Sequence, residues 1–358
     1  MRKSLENRAR LAAVATANPP TKIDQQSAAL LIEKHYGDTL KPRSMEIMRK
    51  VMSHPSIRTR HIAVDDINDI VRLKDEDPDA RMERFTRWAT DLSVAAARKA
   101  MERAGVSARD ITGLVVNTCT GYICPGIATY LIEPLGLSPD IKLYDLVGAG
   151  CGGALPGLQI ARRHCEDGGN IVLAIAVEIC SATYQMGDNV SLIVSNAIFG
   201  DGAAAAIVSN RHNGPALIAD ASRFSPSHRN DIRYVYKRGQ LHNMLSPALP
   251  KIIGEMAPSF VGSMLKARGL TVSDIGHWAI HAGGEKILAE VQAGLGLTDA
   301  HLAVSRSILE RYGNMSSPTV LFELERILDA GIEPGGHCCV LGFGAGLSIY
   351  GLLVGNSV

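Results

Sequence analysis

Three short stretches from the first half of the chain return, in the same order, in the second. Asp110-Ile-Thr-Gly-Leu-Val-Val-Asn lines up with Asp274-Ile-Gly-His-Trp-Ala-Ile-His, an offset of 164 (274 − 110). Gly150-Cys151 before a helical pattern lines up with Gly313-Asn314 before another, an offset of 163 (314 − 151). Phe199-Gly-Asp-Gly lines up with Phe343-Gly-Ala-Gly, an offset of 144 (343 − 199). One match of this length carries no weight, but three in order argue for a duplicated unit. The repeat is far longer than a solenoid period. It therefore implies two similar halves packed together, residues 1–210 and 211–358, divided in the polar stretch 209–215.

Each half alternates strand-like runs with long helical patterns, as an α/β protein does. The spacing predicts helices over 85–104, 155–165, 251–268, 285–293 and 320–330. Buried strands are expected at 114–117, 171–176, 204–208, 278–281, 339–341 and 348–354. Equivalent loops of two such halves converge on one cleft at their interface. Positions that differ between the repeats are then candidates for specialised roles. In the first two matches Asn117 corresponds to His281 and Cys151 to Asn314.

Cys151 lies in Gly148-Ala-Gly-Cys-Gly-Gly, between a strand-like run and a helical one. Flanking glycines permit positive φ and keep bulk away from the sulfur. A helix N-terminus favours a thiolate. His281 ends an apolar strand and opens onto Ala282-Gly283-Gly284, where α/β folds place reactive groups. It is a candidate to hold Cys151 as a thiolate–imidazolium pair. Asn314, at another helix start, reads either as an N-cap or as an amide donor to a developing oxyanion. Cysteine, histidine and asparagine as a bare set also suit a papain-like protease, but this cysteine is mid-chain and lacks the aromatic neighbour of that signature.

Composition narrows the function classes. The 358 residues carry 37 basic and 36 acidic side chains, a net charge of +1, which makes no electrostatic case for nucleic acid or an acidic membrane surface. The longest apolar runs, such as Ala203-Ala-Ala-Ala-Ile-Val, fall far short of the roughly 18 residues of a membrane span. No signal-type apolar core follows the basic start, so a cytoplasmic protein with reduced cysteines is expected. Neither Cys119 with Cys124 nor His337-Cys338-Cys339 has zinc spacing, so no metal is expected.

Matching stretches running from end to end resemble the type III polyketide synthases, the chalcone-synthase-like branch of the thiolase superfamily. They are Ala15-Thr-Ala-Asn-Pro-Pro, Thr118-Cys-Thr-Gly with Pro125-Gly126, Gly150-Cys151, Phe199-Gly-Asp-Gly-Ala-Ala-Ala, His281 with Gly283-Gly284, Tyr312-Gly-Asn-Met-Ser-Ser and Gly342-Phe-Gly-Ala-Gly-Leu. The resemblance implies a thiolase-like fold with a duplicated, five-layered αβαβα core, and a homodimer. It also implies iterative decarboxylative condensation of malonyl-CoA onto an acyl-CoA starter, with no further cofactor. Cys151 matches the nucleophile that carries the chain, and His281 and Asn314 match the decarboxylation pair. Losing CO₂ generates a carbanion, so such a site needs neutral or positive donors and no nearby carboxylate base.

By the same resemblance Phe199 matches a gatekeeper between the CoA tunnel and the cavity. A second gatekeeper, phenylalanine in the plant enzymes, falls at Asn243 or His242. Cys119, Cys180, Thr120, Thr183 and Ser316 match cavity-wall positions. Small sulfur-bearing walls suit a greasy tunnel, and resemble bacterial members that extend fatty acyl starters to alkylpyrones or alkylresorcinols. The alternatives are an aromatic or malonyl-only starter, or a β-ketoacyl-acyl-carrier-protein synthase III making one condensation. Arg49, Lys50, Arg58 and Arg60 cluster where the family binds CoA phosphates.

Overall fold

A computed structural model describes residues 8–168 and 170–356. The chain opens with strand β1 (Arg10–Ala17) and a short β2 (Lys22–Asp24). Helices α1 (Gln25–Tyr36) and α2 (Pro42–Met52) follow, then β3 (Thr59–His61), which pairs with β2. Next come α3 (Pro78–Ala104), β4 (Ile111–Thr118), α4 (Ile127–Leu135) and β5 (Lys142–Val147). α5 (Ala154–Glu166), β6 (Ile171–Glu178), α6 (Val190–Ile198) and β7 (Gly202–Ser209) close the first half. The second half starts with β8 (Ala216–Phe224) and the hairpin β9 (Ile232–Lys237) and β10 (Gln240–Leu245). It continues through α7 (Leu249–Lys266), β11 (His277–Ile280), α8 (Glu285–Leu295) and α9 (Asp299–Tyr312). α10 (Thr319–Ala330), β12 (His337–Gly344) and β13 (Ser348–Gly355) complete it.

Strand pairing repeats across the halves. β4 runs parallel to β6, β6 antiparallel to β7, and β7 antiparallel to β1. In the second half β11 runs parallel to β12, β12 antiparallel to β13, and β13 antiparallel to β8. The two sets join where Arg10 faces Ala216. Among the described residues this gives one sheet in the order β11-β12-β13-β8-β1-β7-β6-β4-β5. The first sequence match holds residue for residue: Val116 faces Ile175 on β6, and Ile280 faces Leu341 on β12. Even the capping boxes entering β4 and β11 correspond, Ser107 with Asp110 and Thr271 with Asp274. The third match is looser. Phe199 precedes β7, whereas Phe343 lies within β12, because a tight turn replaces the α6 excursion in the second half.

Helices sort into layers by which cores they fill. α3 and α4 cover the outer face of the first-half strands, and α7, α8 and α9 cover that of the second. α5 and α10 lie between, in a core that takes residues from both sets of strands. Leu155, Leu158, Leu321 and Leu324 there are no more than 1% exposed, and each contributes roughly 2 kcal/mol by burial. With both faces covered, β6, β7 and β13 are buried at every described position, a continuous apolar pattern rather than an alternating one. The central helices are the equivalents that follow Cys151 and Asn314, so the duplication brings those residues to one place.

The expected helices and strands all form, with ends shifted. α3 starts at Pro78, well before the expected residue 85, because Asp77 caps it by accepting from Ala80 N at 2.8 Å and proline suits the first turn. His281 lies one residue beyond β11. Among the described residues no helix is long and apolar enough to cross a membrane.

Candidate active site

Cys151 sits in a 3₁₀ turn, Gly150–Gly152, between β5 and α5. Gly150 has φ +60°, and a Cβ there would meet the backbone N of Ala345 at 2.9 Å. A Cβ on Gly152 would lie 2.7 Å from the Tyr350 ring. The Cys151 turn of the first half is thus pressed onto the β12–β13 turn and β13 of the second, at a separation only glycine tolerates. The thiol faces a cavity of about 300 Å³, lined also by Cys119, Phe199, Tyr234, Asn243 and Ser316. Its hydrogen-bond partner is Ser316, which also lies 3.5 Å from the Cys119 sulfur. Ser316 has φ +60°, a conformation unusual for a residue with a side chain.

Asn314 does not cap α10. Its Nδ2 donates to the Gly283 carbonyl at 3.2 Å, and its Oδ1 accepts from Ser316 N at 2.7 Å. Its backbone is tied on both sides to the Phe199 segment, through Ile198 O at 2.9 Å and Gly200 N at 3.0 Å. One residue therefore joins the loop after His281 and the turn of Ser316 through its side chain, and the end of α6 through its backbone.

His281 is held from both flanks. Ala282 N donates to Glu323 Oε1 at 3.0 Å, and Ile280 N donates to Ser305 Oγ at 3.1 Å, which itself donates to Glu323 Oε2 at 2.7 Å. The imidazole is 2% exposed and its Nδ1 is buried without a partner. An unpartnered buried lone pair is less costly than an unpartnered N–H, so the proton belongs on Nε2. Burial pushes the imidazole down to about 4. Burial likewise pushes the Cys151 thiol up to about 12, with the nearby Glu178 charge adding to the rise and Ser316 opposing it. Burial therefore works against the thiolate–imidazolium pair expected from sequence, raising the thiol and lowering the imidazole. Desolvation outweighs the helix end.

The histidine shift has a consequence for stability. A depressed folded value means the contribution is complete above the unfolded value of 6.5 and is lost as pH falls through 4. Between pH 7 and 4.5 the wild type should lose about 2.5 kcal/mol more unfolding free energy than His281→Asn. Denaturant unfolding at both pH values checks this; equal losses in the two proteins would rule out a neutral buried imidazole.

Glu178, at the end of β6, is the residue that sequence reasoning missed. It is fully buried, and its Oε2 accepts from Cys119 N at 2.9 Å, Thr120 N at 3.1 Å, Thr120 Oγ1 at 2.8 Å and Thr118 Oγ1 at 3.2 Å. Its Oε1 accepts from Ser317 Oγ at 2.6 Å. Burial raises its carboxyl above the ordinary range while these donors oppose the rise. The expectation of no nearby carboxylate is therefore corrected: one lies behind Ser316, with its lone pairs covered. Nothing in the run Ala176-Val-Glu-Ile-Cys marks it except a lone acid closing an eight-residue apolar strand.

Other expected site residues divide among three spaces. Cys119, Phe199, Asn243 and Ser316 line the Cys151 cavity. Asn243 rather than His242 faces it, since neighbours on β10 point to opposite sides. Cys180 and Thr183 instead line a separate chamber under α1, which shares Phe199 and Asn243 with that cavity. Thr120 is no wall of the Cys151 cavity: its hydroxyl donates to Glu178 and accepts from Ile179 N at 2.9 Å, and it borders a third cleft beside Phe85.

The basic cluster also divides. Arg58 is 76% exposed with Glu310 2.7 Å away, Arg49 pairs with Glu33, and Lys50 is exposed. Arg60 is corrected as a CoA contact. It is 5% exposed, and donates to Gln25 Oε1 at 2.9 Å, Asn196 O at 2.7 Å and Phe199 O at 2.8 Å. It fixes the Phe199 backbone from beneath and is out of a phosphate's reach.

A duplicated α/β core with a cysteine and an asparagine ahead of its paired central helices, and a histidine beside them, defines a thiolase-like acyltransferase. Residues 1–211 match the N-terminal domain of chalcone and stilbene synthases, and residues 217–358 the C-terminal domain. The chain belongs to this family, the type III polyketide synthases. It is 31% identical to a 3,5-dihydroxyphenylacetyl-CoA synthase of Streptomyces toyocaensis, over 86% of this chain and 82% of the relative. It is 30% identical to an alpha-pyrone synthesis polyketide synthase-like protein of Mycobacterium tuberculosis, over 95% and 89%. The crystal structure of 1,3,6,8-tetrahydroxynaphthalene synthase from Streptomyces coelicolor superposes with a TM-score of 0.89 at 27% identity, covering 98% of this chain and 99% of that one. The family match displaces the single-condensation alternative.

Proposed function

We propose that the protein extends a medium or long aliphatic acyl-CoA starter with malonyl-CoA units, through a Cys151 thioester, to alkylpyrone- or alkylresorcinol-type products. The observation that carries the chemistry is Asn314, which ties the His281 loop, Ser316 and the Phe199 segment around the Cys151 cavity.

In the loading step Cys151 Sγ attacks the starter carbonyl, the carbon–sulfur bond to CoA breaks, and the thiol proton ends on the CoA sulfur. One sulfur loses a proton and the other gains it, so a neutral resting pair suffices and His281 serves as carrier. Malonyl-CoA then loses CO₂, and the electron pair moves onto the thioester oxygen as an enolate. A neutral imidazole N–H from His281 and the second amide hydrogen of Asn314 Nδ2 stabilise that oxygen. An imidazolium would instead hand over its proton and quench the carbanion. The enolate carbon attacks the Cys151 thioester, and the thiolate leaves. No cofactor beyond the CoA substrates is required by these steps.

The aliphatic reading is supported by sulfur and hydrocarbon walls at Cys119, Ile232, Leu245 and Cys180, and by the alpha-pyrone name of one relative. The 3,5-dihydroxyphenylacetyl-CoA name of another relative favours the aromatic-product alternative. Arg58, Arg49 and Lys50 are the assigned CoA phosphate contacts. We assign the chain to two halves divided near residue 210, and to a homodimer. The dimer is supported by the exposed edge strand β5, with Tyr144 37% and Val147 57% exposed, and by Tyr122 and Tyr130 nearby in sequence.

The test is product analysis by mass spectrometry with malonyl-CoA and starters from acetyl to palmitoyl, plus benzoyl and coumaroyl. Pyrones or resorcinols from the longer saturated starters are expected. Products only from aromatic starters, or from malonyl-CoA alone, would overturn the starter reading and leave the synthase.

A further inference from the structure

β11, which leads into His281, is an edge of the large sheet, paired with β12 alone among the described strands. Successive N–H groups along a strand point to opposite sides. His281 N donates toward β12, to Leu341 O at 2.9 Å, so Ile280 N and Ala282 N face the open side. In the first half the matching strand, β4, has β5 on that side, starting at Lys142. Ser305 stands 163 residues after Lys142 (305 − 142), the offset that relates Cys151 to Asn314. It lies on α9, which packs against β11 where the first half has a strand. The two N–H groups therefore have no ladder to join, and a buried N–H without an acceptor costs about as much as a lost hydrogen bond. Glu323 on α10 supplies what that strand would have. Its Oε1 accepts from Ala282 N at 3.0 Å, and its Oε2 accepts from Ser305 Oγ at 2.7 Å, which in turn accepts from Ile280 N at 3.1 Å. Glu323 and Ser305 are both fully buried, and the acid forms no ion pair among the described residues.

We propose that Glu323 and Ser305 are positioning residues for decarboxylation, an acceptor pair that replaces a strand and sets where the His281 imidazole meets the enolate oxygen. The proposal rests on the reading of His281 as an enolate donor and adds what aims it. The ring has no tether at Nδ1, which is buried without a partner. Its aim is set by the backbone that carries it. That backbone is closed by Gly283 N, which donates to His281 O at 2.8 Å, and on the open side it is gripped one residue before and one residue after the histidine. A buried acid with no cation beside it is costly to keep, and burial raises this carboxyl well above the ordinary range. What it contributes is two oxygens on one rigid helix, placed to hold both N–H groups at once. A displacement of about 1 Å at a catalytic group can lower a rate about 100-fold.

The experiment measures CO₂ release from malonyl-CoA by the full chain in Glu323→Ala, Glu323→Gln and Ser305→Ala, each alone and combined with His281→Ala. Glu323→Ala should lower kcat about tenfold or more and leave KM within about twofold, because the change misplaces a reacting group and touches no CoA contact. Glu323→Gln, whose carbonyl oxygen can still accept from Ala282 N, should recover to within about threefold of wild type. Beside His281→Ala, the Glu323→Ala change should cost about threefold or less, since the group it aims is gone. An equal fall in both backgrounds would mean a structural role only and would overturn the proposal, as would unchanged turnover in a folded Glu323→Ala. If that variant does not fold, Ser305→Ala decides. A kcat lowered about threefold or more, and unaffected beside His281→Ala, supports the proposal, and any other result overturns it. A His281→Ala protein that releases CO₂ as fast as wild type overturns the reading beneath it as well.

Discussion

Replacing Cys151 by alanine should abolish polyketide formation, by at least about 10⁴-fold, in a protein that remains folded. On the proposed mechanism the thiol forms the bond that holds the chain. Cys119 also lines that cavity and its thiol is likewise raised by burial and Glu178, but it lies outside the glycine turn that leads into α5. The variant should unfold within a few degrees of wild type, since the truncated atom faces a cavity rather than packed core. Decarboxylation separates the roles. On the proposed mechanism His281 and Asn314 stabilise the enolate without needing the sulfur, so CO₂ release from malonyl-CoA should persist in Cys151→Ala and fall about 100-fold or more in Asn314→Ala. Coupled loss of both activities in Cys151→Ala would contradict that division. Unaltered product formation would contradict the whole assignment.

The second large effect is at Glu178. Replacing it by leucine leaves the N–H groups of Cys119 and Thr120 and the Ser317 hydroxyl buried without an acceptor. Each such group costs about 1–3 kcal/mol, so a loss of at least about 3 kcal/mol is expected, a large fraction of an ordinary domain's stability. Glu178→Gln should be far milder. Its carbonyl oxygen can replace Oε2 and its amide can donate to Ser317. The glutamine variant also tests the charge. With a raised folded value, the carboxyl's contribution is complete below its unfolded value of 4.5 and declines as pH climbs through the folded value. Glutamine has no such decline, so the stability gap between the two proteins should narrow as pH rises. A gap independent of pH would mean that the carboxyl is ionised in both states.

The duplication was legible because its signals are local: the Asp110 and Asp274 capping boxes and the strands after them recur at one spacing. The cysteine, histidine and asparagine were legible because each sits at a strand end or helix start among glycines. Glu178 was not, since its partners come from residues about sixty and about a hundred and forty positions away, and only the packed sheet brings them together. Arg60 misled for the opposite reason. In sequence it is one of four basic residues within twelve positions, but strand β3 turns its side chain inward while its neighbours stay outside. The β9–β10 hairpin was read only as a segment. Its turn at Arg238 and Gly239, with φ of +53° and +74°, is a two-residue reversal that a non-glycine first residue disguises.

That hairpin is a two-stranded ribbon set apart from the large sheet, and it supplies Tyr234, Asn243 and Leu245 to the Cys151 cavity. Its half-buried positions lie outside the interlocked layers that hold Cys151. Selection can therefore alter the mould without endangering the machine. Descendants of one ancestral gene can diverge in what they synthesise, by drift along this ribbon, while Gly150, Gly152 and Glu178 stay frozen by the contacts they make.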